Sequence, residues 1–460
     1  MIKHSFNETI IRSYDIRGIY SKTLYDLDAR IIGNLFGLEV GRGKKVCVGY
    51  DGRKSSVNLK ENLINGLLEV GVDVIEIGLC PTPMVYFSCH QTNANGGIMV
   101  TGSHNPKDHN GFKFVLENQP FYGKDIKNIS KKARSFSYSK NYTGKREFRD
   151  ISPDYLKRLL EDLEQKKKIN IVWDSGNGSA GKIMKKLSEN VNGKSILMYE
   201  DIDGNFPNHH PDPSDEGNLK DCIDMLKKNQ FDIGIAFDGD GDRIGIIDDR
   251  GRVIPGDLIL LIFANDILFD GKKTIIGDVK CSQVLFDEIE KKGGKAIMSK
   301  TGHSHIKVNI KKFSADLAGE MSGHMFFSDK YFGYDDALYA SVRIINILAN
   351  SEEKLSEIVD KIPKTFSTPE IRIDCDDLKK FGIVKKISEN LKKSGHQIID
   401  VDGVRVIFED GWWLLRASNT QPALVLRCEA YTDEGLEKKM IHVKSELSKI
   451  DFKLVNKIIT

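Results

Sequence analysis

Short apolar runs alternate with stretches of helical periodicity along the chain as far as about residue 365. Three runs that each end in an aspartate recur roughly every hundred residues: VCVGYD (46–51), NIVWD (170–174) and TIIGD (274–278). Between them lie three more apolar runs, each leading directly into a polar loop: GGIMV (96–100), DIGIAF (232–237) and ADLAG (315–319). This alternation predicts parallel α/β layers, and the repeat predicts three similar α/β units with mixed sheets. Ligands of open α/β sheets bind at the carboxyl ends of strands, so the loops are expected at equivalent edges.

The pattern changes after Pro363. A strand at 370–375, a Lys-rich helix at 378–395, three strands through residue 430 and a last helix follow. This order predicts a smaller, mostly antiparallel α+β domain at the C-terminus. A polar stretch at 124–145 is expected to cover the first domain boundary.

Composition narrows the possible partners and the compartment. The 68 basic and 66 acidic residues leave a net charge of +2, so no global field attracts nucleic acid or an anionic membrane. The seven cysteines are scattered without a C-x-x-C pair, which argues against a disulfide framework or a zinc knuckle. The N-terminus lacks the apolar core of a signal peptide, and no apolar run approaches a membrane span of about 20 residues. The sequence therefore predicts a reduced, cytoplasmic protein.

Two of the polar loops carry the groups expected to do chemistry. In TGSHNP (101–106), the glycine before Ser103 is expected to free the backbone and expose the hydroxyl, with His104 and Lys113 near it in sequence. The alternative is a loop in which Ser103 caps a helix. In DGDGDR (238–243), three aspartates alternate with glycines and bring a charge of −3 to one point, which favours Mg²⁺. The alternative is a solvated acidic hairpin.

A calcium loop of the EF-hand type does not fit the same segment. Arg243 stands where that loop needs glycine, and Asp249 stands where it needs a bidentate glutamate. The flanking segments also have the pattern of strands rather than helices.

Two further loops predict recognition of a sugar phosphate. In GEMSGH (319–324), an extended chain would place Glu320, Ser322 and His324 on one face, a row that suits sugar hydroxyls. In RASNTQP (416–422), a guanidinium, hydroxyls, an amide and backbone N–H groups form a candidate phosphate cradle. A polar strand edge and an ordinary β-turn are the respective alternatives.

Weaker signals come from loops that each hold a cation or a histidine among small residues, around Tyr14 and Arg17, around Lys280 and around His303. His209 and His210 lie in a proline-rich segment, which favours a rigid packing loop over a metal site.

These loops, taken in order along the whole chain, resemble the α-D-phosphohexomutase superfamily and most closely its bacterial phosphomannomutase/phosphoglucomutase group. The motifs that carry the resemblance are YDIRG, TGSHNP with NGFK, DGNFPNHHPDP, DGDGDR, VKCS, TGHSHIK, GEMSGH, STPE and RASNTQP. The resemblance implies four domains around one central cleft, at residues 1–149, 150–250, 251–367 and 368–460. They would carry the phosphoserine loop, the metal loop, the sugar-recognition loop and a phosphate-binding loop on a mobile domain.

The resemblance also implies the roles of individual residues. Ser103 would carry the phosphoryl group, and Mg²⁺ would be held by Asp238, Asp240, Asp242 and a phosphoserine oxygen. The groups around the transferring phosphoryl would be Arg17, His104, Lys113, Arg243, Lys280, His303 and His324. The sugar and its distal phosphate would be bound by Tyr14, Glu320, Ser322, His324, Arg416, Ser418, Asn419 and Thr420.

The activity implied is interconversion of hexose 6-phosphate and hexose 1-phosphate, of mannose or glucose, through a bound hexose 1,6-bisphosphate that turns over. Small hexose phosphates are the expected partners, without nucleic acid or membrane, and the expected state is a monomer or weak homo-oligomer. A hinge is expected near residues 364–368. The alternatives are an aminosugar-phosphate mutase (phosphoglucosamine or acetylglucosamine-phosphate), whose usual motifs GEQSGH and R-x-SGTEP differ at Met321, Asn419 and Gln421, and a Mg²⁺-dependent sugar-phosphate phosphatase.

Overall fold

The first three sheets of the protein share one strand order. A computed structural model describes residues 3–137, 143–418 and 422–458. The first sheet and its helices comprise β1 (Ile16–Ile19), α1 (Asp26–Val40), β2 (Lys45–Tyr50), α2 (Ser56–Glu69), β3 (Asp73–Leu79), α3 (Thr82–Thr92), β4 (Gly96–Val100), β5 (His109–Leu116), β6 (Gln119–Pro120), α4 (Lys124–Ala133) and β7 (Arg146–Phe148). A short 3-10 helix, Glu8–Ile10, precedes them.

The second unit comprises α5 (Ser152–Glu161), β8 (Ile171–Asp174), α6 (Gly181–Ser188), β9 (Ser195–Met198), a 3-10 helix (Glu216–Leu219), α7 (Lys220–Asn229), β10 (Ile233–Phe237), β11 (Ile244–Asp248) and β12 (Val253–Ile254). The third comprises α8 (Gly256–Leu268), β13 (Thr274–Asp278), α9 (Gln283–Lys291), β14 (Lys295–Ser299), α10 (His303–Phe313), β15 (Leu317–Gly319), β16 (Met325–Phe327), α11 (Ala337–Asn350) and α12 (Leu355–Asp360).

The common order of the three sheets runs β5-β4-β2-β3 in the first, β11-β10-β8-β9 in the second and β16-β15-β13-β14 in the third. In each sheet the three strands after the first are parallel, and the first is antiparallel to its neighbour. The predicted repeat of mixed α/β units is therefore confirmed. The polar loop of each unit is the connection inside its antiparallel pair, so the three loops occupy equivalent edges.

The fourth domain has an antiparallel sheet, as predicted. Its elements are β17 (Phe366–Ser367), β18 (Ile371–Asp374), α13 (Lys380–Lys393), β19 (Ile398–Ile399), β20 (Val404–Phe408), β21 (Gly411–Ala417), β22 (Ala423–Ala430), α14 (Asp433–Ser448) and α15 (Phe452–Val455). The strand order is β17-β22-β21-β20-β19, with β18 also paired to β22. Since β17 pairs with β22, Phe366 and Ser367 of the expected hinge segment already belong to the fourth sheet.

The polar stretch at 124–145, which is expected to cover the first domain boundary, begins inside the first unit. It contains α4, whose Ile126, Ile129 and Ala133 are fully buried in the core of the first unit. These residues recur every three or four positions, the spacing of one helix face, although lysines dominate the composition. At the next boundary, β12 pairs with β11 and so belongs to the second sheet.

The first three units share a continuous apolar core, whereas the fourth has its own. Met84 of α3, Tyr155 of α5 and Tyr339 of α11 are buried in one cluster that joins the units. The fourth domain packs around Trp413 and Leu426, and a small cluster of Val279, Trp412 and Leu414 joins it to the third unit. Within the described residues, no helix is both long and apolar enough to cross a membrane.

Asp336 links the second and third units and gives the fold a dependence on pH. Both of its carboxylate oxygens accept from the Tyr155 hydroxyl at 2.9 Å, and Oδ1 also accepts from the Tyr339 N–H at 2.9 Å. Burial raises the pKa of Asp336 to about 7. The folded protein therefore keeps a proton that the unfolded chain releases above about pH 4, so stability falls as the pH rises from 4 to 7.

We expect Asp336→Asn to remove that pH dependence, because asparagine imitates the neutral acid and does not titrate. The full effect of a shift of about 3 pKa units would be about 4 kcal/mol. The Tm of the variant relative to the parent, measured from pH 5 to pH 8, should therefore rise with pH. Two parallel profiles would contradict the argument.

Candidate active site

The three polar loops lie against one another. The backbone of Gly239 approaches Ser103 so closely that a Cβ on Gly239 would lie 2.5 Å from the Ser103 carbonyl oxygen. Arg243 and His324 form an isolated antiparallel β-bridge, and the Ile244 N–H donates to the Gly323 carbonyl at 3.1 Å. The loops of the first, second and third units therefore form one site.

Ser103 faces the acidic loop of the second unit. Its hydroxyl donates to Oδ2 of Asp238 at 3.0 Å and lies 3.2 Å from Nδ1 of His104. Ser103 itself has a left-handed conformation, with φ of +49°, and its N–H donates to the Thr101 hydroxyl at 2.8 Å. A non-glycine residue held there costs about 1 kcal/mol or more, and such strain is concentrated at functional positions.

Gly102 has a different role from the one expected. The side chain of Arg53 fills the space beside it, so a Cβ on Gly102 would lie 2.4 Å from the Arg53 guanidinium carbon. Arg53 donates to the carbonyls of Ser103 and Asn105, both at 2.6 Å, and to that of His109 at 3.0 Å. Glycine at 102 therefore admits the arginine that shapes the loop, and the left-handed turn falls on Ser103.

The acidic loop gathers three carboxylates at one point. Asp238, Asp240 and Asp242 are fully buried, and one oxygen of each lies within 4.8 Å of the others. Within the described residues, Oδ1 of Asp240 accepts no hydrogen bond, and Oδ1 of Asp242 lies 3.3 Å from Nε2 of His324. Burial and the neighbouring carboxylates raise the pKa of Asp238 well above its usual range. Hard oxygen ligands with free lone pairs suit Mg²⁺, so the residues present fit the predicted metal. The flanking β10 and β11 are strands, which agrees with the rejection of an EF-hand.

Lys113 contacts the acidic loop rather than Ser103. Its Nζ donates to Asp240 Oδ2 at 2.7 Å and also to Asp242. Burial disfavours the charged amine, but the aspartates outweigh burial and raise the pKa of Lys113. Lys113 therefore supplies a fixed positive charge beside the carboxylates.

Glu320, Ser322 and His324 meet in a tight turn, not along an extended strand. The turn forms because Gly323 has φ of +93° and its N–H donates to the Glu320 carbonyl at 2.9 Å. Nδ1 of His324 lies 3.1 Å from Oε2 of Glu320 and 2.9 Å from the Ser322 hydroxyl. Burial alone would lower the pKa of His324, but Asp242 and Glu320 raise it to about 9, so the ring is charged at neutral pH.

Arg17 contacts the loop of the first unit, and His303 contacts the loop of the third. Arg17 donates to Asn105 Oδ1 at 3.1 Å in the Ser103 loop and to Asp15 at 2.5 Å. The ring of His303 stacks on His324 with the centroids 5.8 Å apart. Burial, followed by the charges of neighbouring lysines, lowers the pKa of His303 well below its usual range. Burial and nearby cations likewise lower the pKa of His104, so both rings are neutral.

A second cluster of cations forms where the third and fourth domains meet. Lys280 donates to Glu370 at 2.5 Å, and Arg416 donates from Nε to Asp402 at 2.9 Å. Asp402 also accepts from the Thr301 N–H at 3.3 Å, and the Tyr14 hydroxyl donates to the Thr301 carbonyl at 2.7 Å. Ser418 is buried at the end of β21, and Asn419 and Thr420 lie outside the described residues.

Comparisons with known proteins agree with this arrangement. The models of phosphoglucomutase/phosphomannomutase alpha/beta/alpha domains I, II and III match residues 8–138, 153–251 and 255–366, and that of the C-terminal domain matches 370–440. A phosphomannomutase/phosphoglucomutase of Pseudomonas aeruginosa is 40% identical over 449 residues, which cover 97% of each chain. The chain belongs to the phosphoglucomutase/phosphomannomutase family.

Other members of the family give the same result. A phosphoglucomutase of Neisseria gonorrhoeae is 40% identical over 441 residues, covering 94% of this chain and 95% of the relative. A crystal structure of a phosphoglucomutase/phosphomannomutase family protein from Burkholderia thailandensis is 39% identical with a TM-score of 0.90, covering 96% and 98% of the two chains. The resemblance stated from the sequence motifs is therefore confirmed.

Several residues that shape the site of this family member escaped the sequence analysis. They are Arg53, Asp51, Thr82, Glu370 and Asp402. Asp51 accepts from the Thr101 hydroxyl at 2.8 Å and the Gly102 N–H at 3.1 Å, and Thr82 donates to Asp240. A usable signal existed for the first two, since Asp51 ends one of the three repeated runs and Arg53 follows it in a lysine-rich chain. Nε2 of His209, in contrast, donates to Asp174 at 3.0 Å from a half-buried position.

Proposed function

We propose that the protein is a phosphohexomutase that interconverts the 6-phosphate and the 1-phosphate of mannose, glucose or both. The observation that carries this proposal is the contact of a buried serine hydroxyl with one of three clustered carboxylates, beside Lys113 and Arg17. A further cation, Arg416, is held by Asp402 of the fourth domain. One centre for transfer and one separate clamp are what a molecule with phosphate at both ends requires.

Ser103 is the proposed carrier of the phosphoryl group. In the first half of the cycle the bond between phosphorus and the serine oxygen breaks, and a bond to a sugar hydroxyl oxygen forms. The sugar hydroxyl loses one proton and the serine oxygen takes up one, so that the bound hexose 1,6-bisphosphate and a free serine hydroxyl result. After the bisphosphate turns over, its other phosphoryl group returns to Ser103. His104, neutral and 3.2 Å from the serine oxygen, is placed to hold a proton there.

The charges around Ser103 suit the transition state of phosphoryl transfer. The transition state is loose, with negative charge on three equatorial oxygens, so catalysis depends on fixed positive charges. Arg17, Lys113, Arg243 and Lys280 are the proposed donors of that charge. Mg²⁺ held by Asp238, Asp240 and Asp242 would add a Lewis acid at the same oxygens.

The sugar and its distal phosphate are assigned to the other two loops. Glu320 and Ser322 are proposed to bind the 3- and 4-hydroxyls, whose configuration mannose and glucose share. Tyr14, His324, Arg416, Ser418, Asn419 and Thr420 are proposed to complete the binding site, with Arg416 oriented by Asp402 for the distal phosphate. Since Ser103 is only 2% exposed, water has little access to a phosphoserine at this position.

The test is a comparison of products from mannose, glucose and glucosamine 1-phosphates with Mg²⁺ and glucose 1,6-bisphosphate. We expect the 6-phosphate of mannose or glucose to form without release of inorganic phosphate. Preferred turnover of glucosamine 1-phosphate would favour the aminosugar mutase. Release of phosphate equal to the loss of substrate, without an isomer, would identify a phosphatase and contradict the proposal.

A further inference from the structure

The loop that carries Lys280 is held by the fourth domain through its backbone carbonyls. Nη1 of Arg405 donates to the carbonyls of Val279 and Cys281, both at 2.8 Å. Nη1 of Arg427 donates to the carbonyl of Lys280 between them. Two arginines of the fourth sheet, on β20 and β22, therefore bind three consecutive carbonyls of the third unit. We call these two side chains the carbonyl clamp.

The N–H groups of the same loop are bound within the third unit. The Val279 N–H donates to the Ser299 carbonyl at 2.9 Å, that of Lys280 to Asp278 Oδ1 at 3.2 Å and that of Cys281 to the Asp278 carbonyl at 3.0 Å. The N–H groups of the loop are therefore hydrogen-bonded within the third unit, whereas its carbonyls accept hydrogen bonds from the fourth domain. Without the fourth domain the three carbonyls would lose these partners, and a buried polar group without a partner is unfavourable.

Contact between the two domains does not by itself explain why two arginines are buried at this interface. Arg405 has no exposed surface, stacks with its guanidinium 3.7 Å from the centroid of the Trp412 ring, and has its pKa lowered by burial to about 10. Apolar residues of similar size stabilise a buried interface as well as a charged group does, or better. A planar fork with several donors, however, can bind two carbonyls in a fixed geometry.

We propose that Arg405 and Arg427 are positioning residues, which hold Lys280 in its catalytic position only while the fourth domain is docked. This inference rests on the proposed role of Lys280 in the transfer. The side chain of Lys280 itself contacts the fourth domain at Glu370, so both its backbone and its amine depend on docking. The fourth domain thereby contributes to the chemical step, in addition to the phosphate clamp of Arg416.

The experiment is a double-mutant cycle of Arg405→Lys and Lys280→Met in the full chain. Lysine keeps the charge but cannot bind both carbonyls in a plane, and a small misplacement of a catalytic group lowers rates by about 10- to 100-fold. We expect Arg405→Lys to lower kcat by about that factor while KM for the sugar phosphate changes less than about threefold. In the Lys280→Met background, Arg405→Lys should cause no further loss of kcat, because the effect of Arg405 acts through Lys280.

The outcomes separate this inference from the proposed function. Normal activity of Lys280→Met would remove the proposed role of Lys280. The carbonyl clamp would be refuted if Lys280→Met strongly lowers activity while Arg405→Lys is as active as the parent. It would also be refuted if the losses of the two single variants multiply in the double variant. Arg252→Lys, which alters a half-exposed arginine paired with Asp248, is the matched control and should behave as the parent. If Arg405→Lys lowers Tm enough to prevent assay, Arg427→Lys enters the same cycle with the same criteria.

Discussion

Ser103→Ala is expected to reduce mutase turnover by at least about 10³-fold, because the proposed carrier of the phosphoryl group is lost. Among the described residues, the replaced hydroxyl is hydrogen-bonded to Asp238 and His104 alone, and the neighbouring carbonyls remain bound by Arg53. The loop should therefore keep its shape, and the Tm should change little. Initial rates with glucose 1-phosphate and intact mass after incubation with glucose 1,6-bisphosphate give the two readouts.

The mass measurement makes this prediction specific. The parent should gain the mass of one phosphoryl group on the peptide that contains Ser103, and the variant should not. Ser341→Ala is a suitable control, since this serine is also fully buried but donates only to the Leu338 carbonyl of its own helix. Near-normal turnover of Ser103→Ala, or phosphorylation at another residue of the parent, would contradict the carrier assignment.

Asp240→Asn is expected to reduce kcat by about 10²- to 10³-fold and to raise the Mg²⁺ concentration needed for half-maximal activity. Asparagine has the same shape and can still accept from Thr82, but it removes one negative charge and one strong metal ligand. The substitution also weakens the ion pairing of Lys113, which donates to Asp240 and Asp242. Rates measured over a series of Mg²⁺ concentrations, with calorimetric titration of the metal, test both effects.

Removal of the metal gives an independent comparison. Treatment with EDTA should abolish activity in the parent, and Mg²⁺ should restore it. Asp203→Asn, in the same domain, changes a carboxylate that accepts from Asn205 and should keep the parental Mg²⁺ requirement. An unchanged requirement in Asp240→Asn would show that the three carboxylates do not hold the activating metal.

The sequence predicted those features that depend on residues close together in the chain. The three units could be recognised because the equivalent strands β2, β8 and β13 are apolar runs with an aspartate at or directly after their ends. The clustering of the carboxylates in the acidic loop could be predicted because single glycines separate them over only a few residues. Each of these patterns lies within a short segment, so the structure that it predicts does not depend on contacts with the rest of the fold.

The features that escaped prediction depend on contacts between distant segments. Arg53 shapes a loop fifty residues later in the sequence, and Glu370 meets Lys280 across the border between two domains. The turn at Gly323 could not be distinguished from an extended strand, because its geometry depends on the approach of Ile244 from another unit. Side-chain partners of this kind follow from tertiary packing, which the periodicity of one segment does not encode.

The equivalent position of the three loops has a consequence for how such a site can be altered. Each loop closes an antiparallel pair, and the ladders of β4 with β5, β10 with β11 and β15 with β16 fix both of its ends. A loop can therefore be exchanged for that of a relative without rebuilding the sheet beneath it. The limit is set by the close approaches of Gly239 to Ser103 and of Gly323 to Ile244, which any transplanted loop must preserve. Within that limit the turn at 320–324 can be redesigned on its own, leaving the residues of the other two loops in place.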